Sequence, residues 1–191
     1  MEIKNLCVYC GSSVGKNPVF KETAIEFGKH LAGEGIQLVY GGGNVGLMGA
    51  IADGCLEAGG TVTGVIPEDL LAKELGHKGI QNLEVVANMH ERKHKMASLA
   101  DAFVAMPGGI GTMEEIFEVY TWFQLQFHTK PCGLLNVEGY YDHLIRFLQH
   151  SVEERFLIQP HLDALIVESD ISELLKKLKN AAPLKDTKWW D

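Results

Sequence analysis

The sequence predicts an α/β domain whose parallel sheet is covered by helices on both faces, and three observations carry that expectation. Short apolar runs recur along the 191-residue chain without the apolar–polar alternation of a half-exposed sheet. Stretches between them place apolar residues at helical spacing. Strands and helices alternate from end to end with no repeat, low-complexity segment or linker, as in parallel sheets joined by helical crossovers. The expected architecture is a Rossmann-like, doubly wound parallel sheet in a single domain over residues 1–181, with a C-terminal tail at 182–191.

Ile3 to Tyr9 is the first expected strand, and Cys10-Gly11-Ser12-Ser13-Val14-Gly15 a small polar loop after it. Asn17 and Pro18 suit an N-cap and a first helical position. Phe20, Ala24, Phe27 and Leu31 form that helix's apolar stripe, and Gly33 or Gly35 ends it. Ile36 to Tyr40 is the second strand. It runs into Gly41-Gly42-Gly43-Asn44-Val45-Gly46-Leu47-Met48-Gly49, a literal G-x-G-x-x-G opening a helix that closes at Gly59-Gly60. A dinucleotide site asks for an acidic residue about 20 residues on, at the end of the next strand. That strand, Thr61 to Ile66, turns at Pro67 before Glu68 and Asp69 arrive. Close helix–strand packing, or a nucleotide pocket, suits these glycines better than NAD.

Residues 67 to 83 read as a loop or short helix near the ligand. Leu83 to Val86 is the fourth strand, Met89 to Ala100 a helix and Ala102 to Met106 the fifth strand. Strand, helix, strand and helix follow at Pro131–Val137, Tyr140–Glu154, Ala164–Val167 and Ile171–Asn180.

The strongest site signal is Met106-Pro107-Gly108-Gly109-Ile110-Gly111-Thr112-Met113-Glu114-Glu115. A buried strand breaks at Pro107 into glycines, and Ile116, Phe117, Tyr120 and Phe123 then recur at helical spacing as far as His128. Strand, glycine turn and helix N-terminus together present backbone N–H groups and a positive dipole end to an anion. The plainer alternative is a capping box, with Thr112 as N-cap and Glu115 at N3.

Net charge is −8 and no basic run of nucleic-acid type is present, so a phosphate-bearing small molecule fits better than a nucleic acid. No stretch has membrane-spanning length and the N-terminus lacks a signal-peptide pattern, so a cytoplasmic protein is expected. Cys7 and Cys10 match C-x-x-C, but residues three apart in a strand face opposite ways, which favours a structural pair. His90-Glu91-Arg92-Lys93-His94 matches the zinc motif H-E-x-x-H. Arg92, Lys93 and Lys95 put positive charge where a dication would sit, so no metal is expected. A basic turn for an anionic ligand, or a solvated helix face, accounts for the run.

Two motifs converge on one family. Pro107-Gly108-Gly109-Ile110-Gly111-Thr112-Met113-Glu114-Glu115 resembles the P-G-G-x-G-T-x-x-E signature of the Lonely guy (LOG) family, and Met89-His90-Glu91-Arg92-Lys93 resembles its M-x-x-R-K segment. Tyr9 to Ser13 and Gly41 to Gly49 are similar to its first two loops. The resemblance runs from about residue 6 to residue 135. It implies a phosphoribohydrolase that cleaves the N-glycosidic bond of cytokinin riboside 5′-monophosphates without a cofactor, as at least a homodimer. Arg92 and Glu115 are then the catalytic pair. Ligand contacts are implied for Arg92, Lys93, Gly108, Gly109, Ile110, Gly111, Thr112, Met113 and Glu114, and for Glu74 and Thr121. Gly11, Ser12, Ser13, Gly42, Gly43 and Met89 are expected in the pocket loops. Many relatives carry a lysine decarboxylase label, yet no Schiff-base lysine motif is recognisable.

The chemistry agrees with the residue types. A carboxylate near C1′ stabilises an oxocarbenium-like sugar and orients or deprotonates water. Glu114 competes with Glu115 for that role, and only the family motif separates them. A non-catalytic nucleotide or cofactor carrier on the same fold, like the proteins that bind molybdenum cofactor, is the alternative.

Overall fold

In the computed structural model, which describes residues 2–73 and 76–184, the strands begin where backbone groups find partners rather than where apolar character begins. The first half of the chain is β1 (Asn5–Tyr9), α1 (Val19–Gly33), β2 (Gln37–Tyr40), α2 (Gly46–Glu57), β3 (Val62–Pro67), α3 (Glu68–Leu71) and β4 (Asn82–Val86). The second half is α4 (Met89–Leu99), β5 (Ala102–Ala105), α5 (Ile110–Gln124), β6 (Cys132–Leu135), α6 (Asp142–Glu153), α7 (Gln159–Asp163), β7 (Leu165–Glu168) and α8 (Ile171–Lys179). All seven strands are parallel, in the order β4-β3-β2-β1-β5-β6-β7.

Both faces of the sheet are buried, which is why its strands do not alternate. Leu6, Val8, Leu38 and Tyr40 pack with α1, α2 and α8 on one side. Cys7, Tyr9, Val39 and Phe103 pack with α4, α5 and α6 on the other. Cys7 and Cys10 thus fall on opposite faces, and both are buried free thiols. Burial pushes both well above the usual thiol range.

Glycine ends the first two helices as expected. Gly35 (φ 67°) and Gly59 (φ 77°) let Ile36 and Gly60 donate N–H bonds to the Leu31 and Cys55 carbonyls, each at 2.8 Å. Pro18 takes the N-cap position of α1 instead of the first helical one, so α1 starts one residue later than expected, and the Asn17 side chain accepts the Val19 N–H at 3.2 Å.

Two boundaries differ more. The helix expected from Tyr140 starts at Asp142, after a short 3₁₀ turn at Val137–Gly139 that reverses through Glu138 (φ 51°) and Gly139 (φ 69°). The helix expected to reach His128 stops at Gln124, because Gln126 adopts φ 59°. Helix α7 is too short to show a periodic stripe and was not anticipated. In the expected tail, Leu184 packs on the core, and residues 185–191 lie outside those described.

The strand order reverses between β1 and β5, so the turns after these two strands diverge to opposite faces and leave a crevice. The crevice positions the site.

Candidate active site

Hydrogen bonds tie the turns after β1, β2 and β5 into one rim. Gly11 donates its N–H to the Pro107 carbonyl, and the Gly11 carbonyl accepts the Leu47 N–H, both at 3.0 Å. A cavity of about 450 Å³ opens above them. Gly11, Ser12 and Gly43 line one side, and Gly109, Ile110, Gly111 and Thr112 another. Arg92, Glu114 and Glu115 complete the polar part of the wall, with Cys10, Met48, Ile66, Leu70 and Met89 more apolar.

Helix α5 begins earlier than the capping-box reading requires. Its N-cap is Gly109, without a side-chain cap, and the first helical bond runs from the Met113 N–H to the Gly109 carbonyl at 3.1 Å. Thr112 is the third helical residue, buried against Gly108, and Glu115 the sixth. The capping box is therefore overturned. Among the described residues, the N–H groups of Gly108 through Thr112 donate to nothing in the chain. Unpaired amides beside a cavity and a helix N-terminus are features that suit an anion.

Arg92 is buried and gripped from several sides. Its Nε donates to the Val65 carbonyl and an Nη to the Gly41 carbonyl, each at 3.1 Å. Its other Nη lies 3.3 Å from the Glu115 Oε1 and 3.8 Å from the Met89 sulfur. A Cβ on Gly41 would collide with the guanidinium. Glu115 is equally buried, and its Oε1 accepts no hydrogen bond among the described residues despite the ion pair. Burial raises its carboxyl above the ordinary range, and the Arg92 charge opposes that rise.

Several predicted residues stand elsewhere. Lys93 does not line the cavity; its ammonium pairs with Glu114 and, at 3.1 Å, with Glu118. Burial disfavours that charge, but the two carboxylates outweigh it and hold Lys93 above its usual value. Met113 packs into the core, and the Thr121 hydroxyl bonds back to the Phe117 carbonyl at 2.7 Å. Ser13 and Gly42 also lie off the wall; the Gly42 carbonyl accepts the His77 N–H at 2.9 Å. Glu74 lies outside the described residues. His90 and His94 are exposed on α4, and no group of three ligand-type side chains is placed to hold a metal among the described residues.

The sequence reading missed Gly41, Cys10, Met48, Ile66 and Leu70. Cys10, Gly41 and Met48 lie within the two loops that the sequence singles out, whereas Ile66 and Leu70 carry no local signal.

A family model described as "Possible lysine decarboxylase" matches residues 48–178. Two cytokinin riboside 5′-monophosphate phosphoribohydrolases of Arabidopsis thaliana are 46% and 48% identical to this chain. The first alignment covers 95% of this chain and 85% of the relative, the second 94% and 83%. This chain belongs to the LOG family. The decarboxylase description finds no chemical support at the LOG cavity, which no lysine lines among the described residues. The molybdenum cofactor carrier protein of Chlamydomonas reinhardtii shares the LOG chain's fold, with a TM-score of 0.71 at 22% identity over 94% of this chain and 98% of that one. The molybdenum cofactor binding protein of Rippkaea orientalis does so too, at 0.71 and 21% over 94% and 98%. No helix among the described residues is long and apolar enough to cross a membrane.

Proposed function

We propose that this chain is a phosphoribohydrolase that cleaves cytokinin riboside 5′-monophosphates to free base and ribose 5-phosphate. The observation that carries the reading is Glu115: a buried carboxylate on the cavity wall, ion-paired to Arg92, one and a half turns from the free amides of α5. The relatives of the same family bear that activity in their names.

The arrangement divides the work. The amides from Gly108 to Thr112 hold the 5′-phosphate at the helix N-terminus. Ribose then lies along the wall toward Glu115. As the base departs, Glu115 stabilises the positive charge gathering at C1′ and accepts a proton or hydrogen bond from the attacking water. Arg92, fixed by two backbone carbonyls, keeps that carboxylate aimed and ionised. The apolar wall of Met48, Ile66, Leu70 and Met89 suits the base and an isoprenoid on it. Lys93, Met113 and Thr121 support α5 rather than touching substrate.

Purified protein, without added metal or cofactor, should convert an N6-isopentenyl riboside monophosphate or AMP to base and ribose 5-phosphate. Chromatography that shows both nucleotides intact would sink the reading. The unphosphorylated riboside should be a much poorer substrate. A carrier of the same fold would bind nucleotide without releasing base; that reading leaves the buried carboxylate beside an anion without a purpose.

We further infer a homodimer or higher oligomer in the cytoplasm. Phe127, Phe147 and Phe156 are exposed at 74%, 63% and 87%, more apolar surface than a monomer leaves to water without reason. Four free buried thiols suit a reducing compartment. A monomer mass by light scattering at working concentration would count against the assembly.

A further inference from the structure

Tyr140 ends the turn between β6 and α6 and is not among the residues that line the cavity. Its hydroxyl donates to the Gly108 carbonyl at 2.6 Å. That carbonyl belongs to the peptide whose other end is the Gly109 N–H, one of the unpaired amides beside the cavity. In a planar trans peptide the C=O and N–H point in opposite directions. Drawing the Gly108 oxygen toward Tyr140 therefore turns the Gly109 N–H away from Tyr140, to the side where Gly109 lines the cavity. A peptide between two glycines has weak conformational preferences of its own, so an external hold decides its direction.

The ring that supplies the hold is itself fixed. Tyr140 meets Phe20 edge-on, with centroids 5.7 Å apart, and Tyr141 likewise at 5.1 Å. Asn136 braces the turn, accepting the Tyr141 N–H at 2.7 Å and donating to Asp142 at 2.8 Å. The Tyr141 hydroxyl donates to the Met106 carbonyl at 2.5 Å. Neighbouring tyrosines thus hold two carbonyls of one turn, with different consequences. Behind Met106 comes Pro107, which has no N–H to aim. Behind Gly108 comes an amide that faces the ligand. Tyr141 is buried and needs its bond, whereas Tyr140 is 43% exposed and has water as an alternative partner.

We propose that Tyr140 is a positioning residue for the substrate phosphate, aiming the Gly109 N–H at the anion by holding the Gly108 carbonyl on the far side. The proposal rests on the phosphate-cradle reading above and adds to it a residue that never touches substrate.

The test compares Tyr140→Phe with Tyr141→Phe, since each keeps its ring and loses one hydroxyl. Calorimetry measures ribose 5-phosphate and adenine separately, alongside kcat, KM and the melting midpoint. Tyr140→Phe should weaken ribose 5-phosphate binding and raise the nucleotide KM by about 5- to 20-fold, the scale of one charge-assisted hydrogen bond. Adenine affinity, kcat and the melting midpoint should stay close to wild type. Tyr141→Phe should lower the midpoint and leave ribose 5-phosphate affinity within about twofold. The proposal is overturned if Tyr140→Phe binds ribose 5-phosphate as tightly as wild type, or if both variants weaken it equally. It is also overturned if wild-type protein does not bind ribose 5-phosphate. An intact affinity difference in a protein that hydrolyses no nucleotide supports Tyr140 and overturns the hydrolase reading alone.

Discussion

A Cβ placed on Gly41, in the turn after β2, or on Gly46, where that turn enters α2, collides with the protein itself: the Arg92 guanidinium in one case, the backbone of Ser12 in the other. A Cβ on Gly109 or Gly111, in the turn after β5, meets nothing within 4 Å. Both turns are glycine-rich, both lead from a strand into a helix, and both border the same cavity. The first turn spends its glycines on close packing, bringing its carbonyl to Arg92 and its helix against the β1 loop. The second packs Gly108 against Thr112 but keeps Gly109 and Gly111 clear of the protein, as access for a ligand requires. The literal dinucleotide motif is thus a packing device here, and the shorter run beside it is the one left open for the proposed anion.

The largest effect should come from crossing that division at Gly41. Gly41→Ala forces the Arg92 guanidinium away from Glu115, so turnover should fall by at least about 10²-fold, with about 1–3 kcal/mol of stability lost to overpacking. Steady-state kinetics and denaturant titration read both. A variant with full activity and stability would show that the turn tolerates what its packing forbids.

Glu115→Gln tests the group that both turns serve. Turnover should drop by about 10² or more, while ribose 5-phosphate still binds, because the amides of the β5 turn are untouched. Glu114→Gln should be milder, since Glu114 is half-exposed and engaged with Lys93. The assignment reverses if Glu114→Gln is the variant that abolishes turnover.

Gly111→Ala should separate function from packing in the other direction. Alanine suits the first turn of α5, so stability should hold or rise by up to about 1 kcal/mol. The new methyl projects where the anion lies, so the nucleotide KM should rise by about 10-fold. Unchanged KM would remove the distinction between the turns.

The smallest effect is in the pH profile. Glu115 must be ionised to act, and burial raises its pKa above the ordinary glutamate value of 4.5. Activity should therefore fall off on acidification at a higher pH than an exposed glutamate would give. Displacing Arg92, which favours the charged form, should move this limb higher still in Gly41→Ala. Gly111→Ala should leave it in place. Identical limbs in all three proteins would detach Arg92 from the ionisation of Glu115.

Much of the site was legible because its signals are local. Apolar runs and helical stripes announced the alternating elements, and Pro107 to Glu115 announced the anion turn. Arg92 and Glu115 entered through family motifs, and the structure joins them across 3.3 Å although 23 positions separate them in the chain. Lys93 misled the reading because a lysine beside a phosphate site is chemically indistinguishable, in sequence, from one neutralised by Glu114 and Glu118. Thr112 left a capping box open as the plainer alternative because T-x-x-E fits one wherever a helix begins, and only the backbone shows that this helix starts earlier, with Gly109 as its N-cap.

By itself, then, the sequence determined the element types, the sheet buried on both faces and the turn able to take an anion, since periodicity and glycine placement act over a few residues. Tertiary structure decided the strand order, and with it which turns share the crevice between β1 and β5. It also decided that Gly41 makes room for Arg92, that Lys93 is occupied, and that Tyr140 reaches back to Gly108 across 32 positions. Such contacts depend on how distant segments pack and on which polar groups are left unpaired once they do, and no local pattern in the chain records either.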